Sequence, residues 1–158
     1  MFLIPLADQL EIVASTAIAA FLGALIGLER ERAEKPTGLR TMALISSASA
    51  LVVALGVHIN DLTPGMGDPT RALHGVITGI GFLGAGTIAM TSNSRSRQGG
   101  VTTAATVFVT AAIGITVGMG APLSAALATL LVLVALRMGG VLEKVGLRQP
   151  RREDPTDT

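Results

Sequence analysis

Four long segments without a charged residue constrain this sequence more than any other feature. Residues 12–28, 41–60 and 72–94 hold 17, 20 and 23 consecutive uncharged residues, and residues 98–136 hold 39. A helix rises about 1.5 Å per residue, so about 20 apolar residues cross the roughly 30 Å hydrocarbon core of a membrane. The first three segments are therefore long enough for one crossing each, and the fourth for two. Only 15% of the 158 residues are charged, against roughly 25% in soluble domains, which indicates an integral membrane protein.

These segments predict an all-α fold, a polytopic membrane helical bundle. Residues 118–122, Gly-Met-Gly-Ala-Pro, are typical of a turn and divide the fourth segment into two spans. Residues 1–138 are expected to form one transmembrane domain, and residues 139–158 a short cytoplasmic tail whose composition is typical of partial disorder. The five spans are predicted near residues 10–28, 41–59, 70–91, 101–118 and 121–138.

The positive charges predict the orientation of the bundle. Of the 12 Lys and Arg residues, 11 fall in the first loop, the third loop and the tail. Lys and Arg are retained on the cytoplasmic side, so the N-terminus is predicted outside and the C-terminus in the cytoplasm. No Lys or Arg precedes the first apolar segment, so this segment is expected to stay in the mature protein as a span and not to be a signal peptide.

Glycines spaced four residues apart recur in three of the predicted spans. Residues at this spacing share one helix face, where the missing side chains let a neighbouring backbone approach closely. They are predicted to form the contact stripes of a compact bundle, with a ligand-binding role as the alternative. Glycine weakens a helix, so the third span is a candidate for a local break of the kind found in transporters. The residues are Gly23 and Gly27, Gly114 and Gly118, and in the third span Gly75, Gly79, Gly81, Gly84 and Gly86.

An internal repeat links the first and third spans. Phe-Leu-Gly-Ala occurs at residues 21–24 and 82–85, and a Gly-x-x-Thr motif follows each copy, at 38–41 and 100–103. Two helical hairpins related by an axis along the membrane normal would explain the repeat, and so would chance similarity between segments rich in small residues. Residues 79–84 also match the glycine pattern of dinucleotide-binding turns, but no acidic residue follows at the required distance. No nucleotide cofactor is therefore predicted.

Charges at the ends of the spans supply the candidate polar residues. Glu29 lies at the predicted membrane boundary, where an ionisable side chain needs a partner, and Arg40 follows it across a short return loop. These two are predicted to approach each other as a structural ion pair, with a functional carboxylate at Glu29 as the alternative. Asp68 precedes Pro69 at the start of the third span, where it is predicted to cap the helix.

Several chemistries lack the residues they need. Without cysteine, the chain has no disulfide framework, thiolate zinc site or cysteine nucleophile. No Ser-His-Asp or His-Glu-x-x-His spacing occurs, and no paired acids lie in an apolar segment, so no enzymatic activity is predicted. The net charge of +1 comes without a basic stripe, so nucleic acid is not expected as a partner. Neither a metal nor a cofactor is predicted.

Five short motifs occur in a distinctive order. They are Gly-Ala-Leu-Ile-Gly-Leu-Glu-Arg-Glu at 23–31, Pro-Thr-Gly-Leu-Arg-Thr at 36–41, Asp-Pro-Thr-Arg at 68–71, Gly-Ile-Gly-Phe-Leu-Gly-Ala-Gly-Thr-Ile at 79–88 and Val-Thr-Thr-Ala-Ala-Thr at 101–106. Over roughly residues 10–137, the chain thereby resembles the MgtC/SapB family of bacterial inner-membrane proteins. The resemblance implies a multi-pass protein of that membrane. By position, it implies functional polar residues at Glu29, Arg30, Glu31, Gly38, Arg40, Thr41, Asp68 and Arg71.

The resemblance also implies a role in adaptation to low magnesium and in virulence. Longer members add a soluble C-terminal domain, so this chain is expected to be a short form without it. One hypothesis is a non-enzymatic protein that regulates another membrane protein, or pairs with itself, through its glycine faces and charged end. The alternative is a small transporter or channel for Mg²⁺ or another cation, which a homo-oligomer could also form. Such a protein would need oxygen ligands along a water-accessible path. The predicted spans carry carboxylates only at their ends, which favours the first.

Overall fold

Five α-helices account for most of the chain. The structure, a computed structural model, describes residues 4–62, 68, 70–91 and 97–144. Each helix contains a segment long and apolar enough to cross a membrane, and no strand occurs in the described residues. The predicted all-α bundle of five spans is therefore confirmed. The helices are α1, Leu6–Arg32; α2, Leu39–Leu62; α3, Thr70–Thr91; α4, Arg97–Gly118; and α5, Pro122–Lys144.

The helix α4 lies at the centre of the bundle. It contacts all four other helices, whereas within the described residues α3 contacts only α2 and α4, and α5 only α1 and α4. Half of the membrane-crossing segment of α4 is buried, against 6% of that of α3. The helices α1, α2 and α4 thus form the interior, and α3 and α5 are peripheral.

Consecutive helices form two hairpins, α1 with α2 and α3 with α4. The larger part of the core joins α1, α2, α4 and α5 around Leu22, Ile26, Ile113 and Val117. A smaller part joins α2, α3 and α4 around Met42, Ile80 and Val107. Both hairpins therefore pack against each other mainly through α2 and α4.

The turn between α4 and α5 forms where the sequence predicts it. The N–H of Ala121 donates to Thr116 O and that of Gly120 to Val117 O, the hydrogen-bond pair of a Schellman motif. Gly120 has a φ of +80°, a left-handed conformation that glycine adopts without a Cβ penalty. Pro122 then begins α5, where its fixed φ suits the first helical position.

The turn after α1 uses the same motif without glycine. The N–H of Lys35 donates to Arg30 O and that of Glu34 to Glu31 O. Glu34 has a φ of 55° and Thr37 a φ of 64°, conformations that cost a residue with a side chain about 1–2 kcal/mol. The chain therefore returns sharply into α2, which brings the ends of α1 and α2 together.

Three predictions about the spans have different outcomes. The third span is not broken, because α3 is one continuous helix. The helix α5 continues to Lys144, past the predicted end of the fifth span at residue 138, and residues 145–158 lie outside the described residues, so the start of the tail stays a prediction. The orientation stays a prediction. Labelling of a Lys35→Cys variant from outside intact cells would contradict the predicted orientation. An Asn60→Cys variant should be labelled from outside and is the positive control.

Candidate functional site

The first polar cluster forms where α1 meets the start of α2. Gly27 lies so close to α2 that an added Cβ would stand 2.5 Å from Leu39 Cα. One turn later on α1, Glu31 Oε2 accepts a hydrogen bond of 3.2 Å from the backbone N–H of Leu39. A Cβ at Gly38 would lie 3.1 Å from that oxygen, so glycine leaves room for the carboxylate. Glu31 therefore caps α2, and its negative charge suits the positive end of the helix.

Arg30 faces the interior of the bundle. It follows Gly23, Ile26 and Gly27 on the buried face of α1 and is only 4% exposed. Its Nη2 donates a hydrogen bond of 3.3 Å to Thr103 Oγ1 on α4. Arg30 Nε is buried without a hydrogen-bond partner. Among the described residues, the guanidinium therefore has one hydrogen-bond partner inside the bundle, and that partner is neutral.

The Thr103 hydroxyl is arranged to receive Arg30. Thr103 is fully buried, and its Oγ1 donates to Gly99 O at 2.7 Å, which leaves the oxygen lone pairs to accept the guanidinium. Thr106 and Thr110 return their hydroxyls to the preceding turn in the same way, as is usual in membrane helices. Sequence reasoning missed Thr103 as a partner of Arg30. The repeat gave no signal for it, because it makes Thr103 the counterpart of Thr41, which is exposed on α2.

The predicted ion pair between Glu29 and Arg40 is not formed. Glu29 is partly buried, and its Oε2 is buried without a hydrogen-bond partner. Arg40 is exposed on the outer side of α2, as is Thr41 next to it. The reason is helical phase, because Met42 occupies the buried face of α2 and Arg40, two residues before it, points elsewhere. The prediction was wrong in pairing the two charges by sequence distance.

The second polar cluster lies at the start of α3, a helix length away from the first. Asp68 Oδ1 accepts hydrogen bonds from the Thr70 backbone N–H at 2.9 Å and the Thr70 hydroxyl at 2.7 Å. The hydroxyl bond and then the backbone bond hold the pKa of Asp68 below its usual value. Arg71 is exposed, and its N–H donates to Asp68 O. Asp68 therefore caps α3 as predicted, while Pro69 lies outside the described residues.

The glycines of the inner helices form close contacts. A Cβ at Gly23 would lie 2.5 Å from Met42 O and one at Gly118 2.6 Å from Ala50 O, and one at Gly114 would overlap Ser46 O. The helices α1 and α4 thus approach α2 from two sides at Ser46, whose Oγ is buried without a partner. Sequence reasoning missed Ser46, since a serine among small residues gives no separate signal.

The glycines of α3 behave differently. A Cβ added at Gly75, Gly79, Gly81 or Gly86 would find no heavy atom within 4 Å, and one at Gly84 would lie 3.8 Å from Ala104 Cβ. The contacts predicted for the other four glycines of α3 are therefore absent within the described chain, and Gly84 alone of the five faces a neighbouring helix. Between α3 and α4 lies an apolar groove of about 280 Å³, bordered by Val76, Ile80 and Phe108. Within the described residues, no three His, Asp or Glu side chains are grouped as a metal site would require.

Comparison with known proteins identifies the family. The model of the MgtC family matches residues 16–145. This chain belongs to the MgtC family. Protein MgtC of Salmonella typhimurium is 38% identical over 117 residues, which cover 74% of this chain and 47% of the relative. Protein SapB of Bacillus subtilis is 32% identical over 149 residues, 91% of this chain and 63% of the relative. The MgtC/SapB resemblance is thus confirmed.

The matches cover most of this chain but a smaller share of each MgtC-family relative. Protein SrpB of Synechococcus elongatus is 36% identical over 124 residues, 74% of this chain and 68% of the relative. An uncharacterized protein of Haemophilus influenzae is 35% identical over 150 residues, and the match covers 62% of that relative. The chain therefore spans about half to two thirds of the length of these MgtC-family relatives. No solved structure matches it.

Proposed function

We propose that this MgtC-family chain is a non-enzymatic protein of the bacterial inner membrane that regulates another membrane protein in adaptation to low magnesium and in virulence. It acts by packing α3 against a transmembrane helix of that partner. The support is the exposed glycine face of α3, formed by Gly75, Gly79 and Gly86, where no heavy atom lies within 4 Å of an added Cβ.

The exposed glycine face is continuous along α3. Its three glycines are four and seven residues apart, so they lie on one side of the helix. Phe82 lies on the same side between them and is 80% exposed. Gly84, on the opposite side, is the α3 glycine that faces α4. The face therefore presents bare backbone above and below one aromatic ring.

Bare backbone facing lipid has a cost that a partner helix would offset. Each glycine weakens a helix by up to about 1 kcal/mol relative to alanine. Lipid chains give no packing advantage for a missing side chain, whereas a second helix gains van der Waals contact by approaching the backbone. The glycines of α1 and α4 have such a neighbour inside the chain, so those of α3 favour a neighbour outside it.

Photocrosslinking tests whether α3 contacts a partner protein. A photoreactive amino acid in place of Thr78, beside the exposed glycine face, should crosslink to a membrane protein in cells grown in low magnesium. The variant Gly79→Leu should abolish this product and growth in low magnesium, because an isobutyl group prevents the close backbone approach. Ala126→Leu, at an exposed position on α5, is the matched control and should leave both unchanged.

Two results would contradict the role. Gly79→Leu could retain the crosslink and growth, which would show that the face is ordinary lipid-facing surface. Alternatively, purified protein in liposomes could carry Mg²⁺ or another cation at a rate that Gly79→Leu leaves unchanged. That result would favour the transporter hypothesis over regulation.

A further inference from the structure

Among the described residues, two side chains of opposite charge, Arg30 and Glu29, each bury one polar atom that has no hydrogen-bond partner, at the end of the bundle where α1 meets α2. Arg30 is 96% buried, since only 4% of it is exposed, and its Nε has no hydrogen-bond partner. Its neighbour Glu29 has a buried Oε2 that also lacks one. The two groups interact electrostatically, yet neither of these two atoms bonds to the other. One donor and one acceptor are therefore unsatisfied on consecutive residues of α1.

This arrangement is costly if nothing else binds. A guanidinium stays protonated in proteins, so Arg30 cannot lose its charge to relieve burial. Leaving a buried donor or acceptor unsatisfied costs stability, and more so when the group is charged. Within the described residues, Glu31 rather than Glu29 caps α2, and Arg40 is exposed, so neither of these two residues satisfies the buried atoms of Glu29 and Arg30.

The surroundings of Arg30 favour a negative ligand. Its Nη2 is held by Thr103, whose hydroxyl bonds to Gly99 near the start of α4. The first turn of a helix carries unsatisfied N–H groups and a partial positive charge. Arg30 and the start of α4 therefore both make the electrostatic potential near Thr103 more positive. Arg30 Nε supplies a free hydrogen-bond donor.

We propose that Arg30 and Glu29 bind a phosphate group that carries a hydrogen-bond donor of its own. A phosphate oxygen accepts from Arg30 Nε, in a charge-assisted bond of the type that arginine forms with phosphates. The donor of the ligand satisfies Glu29 Oε2. A phosphate without a donor leaves the carboxylate unsatisfied and adds charge repulsion, so Glu29 makes the site selective.

Two sources present this chemistry. Inorganic phosphate keeps a proton at neutral pH, which it can donate to Glu29. The headgroup of phosphatidylethanolamine joins a phosphate to an ammonium donor. Glu29 and Arg30 lie in the last turn of α1, which ends at Arg32, and the end of a membrane-spanning helix is where lipid headgroups lie. Each source has a close analogue without a donor, namely sulfate for phosphate and phosphatidylcholine for phosphatidylethanolamine.

The first arm measures thermal unfolding of the delipidated full chain in detergent, with phosphate or sulfate at equal ionic strength. The expected result for a free-phosphate site is a higher midpoint in phosphate alone. Arg30→Lys keeps the charge but removes Nε, and it should weaken phosphate binding about tenfold or more. Glu29→Gln should let sulfate bind as well as phosphate, because the amide supplies the missing donor. Arg32→Lys, at an exposed position two residues away, should behave as the wild type.

The second arm uses vesicles of equal parts phosphatidylethanolamine and phosphatidylcholine. For a lipid site, native mass spectrometry should find phosphatidylethanolamine retained in preference to phosphatidylcholine by the wild type and by Arg32→Lys. Glu29→Gln should retain both lipids equally, because its amide donates to either phosphate. Selectivity in either arm supports the site and identifies its source. Equal response to phosphate and sulfate together with equal retention of both lipids would overturn it, as would no binding in either arm. If Arg30→Lys fails to fold, the selectivity of the wild type for phosphate over sulfate, or for phosphatidylethanolamine over phosphatidylcholine, decides whether the proposed site exists.

Discussion

The two hairpins share a sequence motif but not the way they pack. In the α1–α2 hairpin, a Cβ at Gly23 would lie 2.5 Å from Met42 O. In the α3–α4 hairpin, the corresponding Gly84 faces Ala104 at 3.8 Å. Met42 and Ala104 each follow the Gly-x-x-Thr motif by one residue, so the contacts are equivalent in position and differ in distance. Superposition of the hairpins about the membrane normal stays a prediction.

The next helical turn shows a physical reason for the difference. Four residues after Gly23 comes Gly27, which contacts the backbone of α2. Four residues after Gly84 comes Ile88, whose side chain is 41% exposed. A branched side chain prevents a backbone contact of that kind, so the second hairpin remains looser at this turn. A repeated motif therefore predicts which faces meet, while the residue one turn away decides how closely.

The largest effect is expected where three helices cross. Gly114→Ala would place a methyl group onto the backbone of α2 at Ser46, and backbone cannot move aside as a side chain can. We expect a loss of about 3 kcal/mol, the upper part of the usual range for overpacking. Unfolding in mixed micelles measures it. A wild-type free energy of unfolding would mean that α2 and α4 separate at little cost.

The hairpins can be compared directly with one substitution in each. Gly23→Ala should lower the free energy of unfolding by about 1–3 kcal/mol, because the new methyl group overlaps Met42 O. Gly84→Ala should raise it by up to about 1 kcal/mol, since there is space and alanine favours the helix. The same micelle titration compares both. Equal losses in the two variants would show that the second hairpin packs as closely as the first.

The exposed glycine face should separate stability from function. Gly79→Ala is expected to raise the free energy of unfolding of the isolated protein by up to about 1 kcal/mol. The same change should reduce crosslinking to the partner from residue 78, because a methyl group holds the two backbones apart. Thr78→Ala, without the photoreactive group, controls for the neighbouring position in the unfolding measurement. A destabilised Gly79→Ala protein would place a neighbour against α3 in the monomer.

The smallest effect is expected at the start of α3. Asp68→Ala removes the acceptor for the Thr70 N–H and should slightly lower the unfolding temperature. The pKa of Asp68 is lowered in the folded state, so its contribution is present above the unfolded pKa of about 4 and lost as the pH falls through the folded value. The difference from the wild type should therefore narrow below about pH 4. A constant difference between pH 7 and pH 3 would contradict this account.

Much of the fold could be predicted because it depends on local properties. The five spans follow from uncharged length, and the turn at Gly120 and Pro122 follows from the backbone preferences of those residues. The cap at Asp68 also needs only its neighbours. Gly23 and Gly27 were predicted as contact residues because four-residue spacing fixes a shared face.

The candidate site was harder, because it depends on which face of each helix is covered. The sequence placed Glu29 and Arg40 near the same end, which is correct, but the phases of α1 and α2 turn Arg30 inward and Arg40 outward. The bond from Arg30 to Thr103 joins residues 73 positions apart, and no local pattern encodes that contact. The family resemblance marked Arg30 without indicating its burial.

The sequence by itself determined that this protein is built of membrane-spanning helices and approximately where those helices begin and end. Both properties depend on the length of apolar segments and on helix-ending residues, which act within a few turns of the chain. It also determined where backbones are able to approach, since glycine spacing is a local property. Only the tertiary structure decided which glycines have a neighbour and which charges are buried. Those outcomes depend on the angular position of each helix against α4, and packing over the whole bundle sets that position.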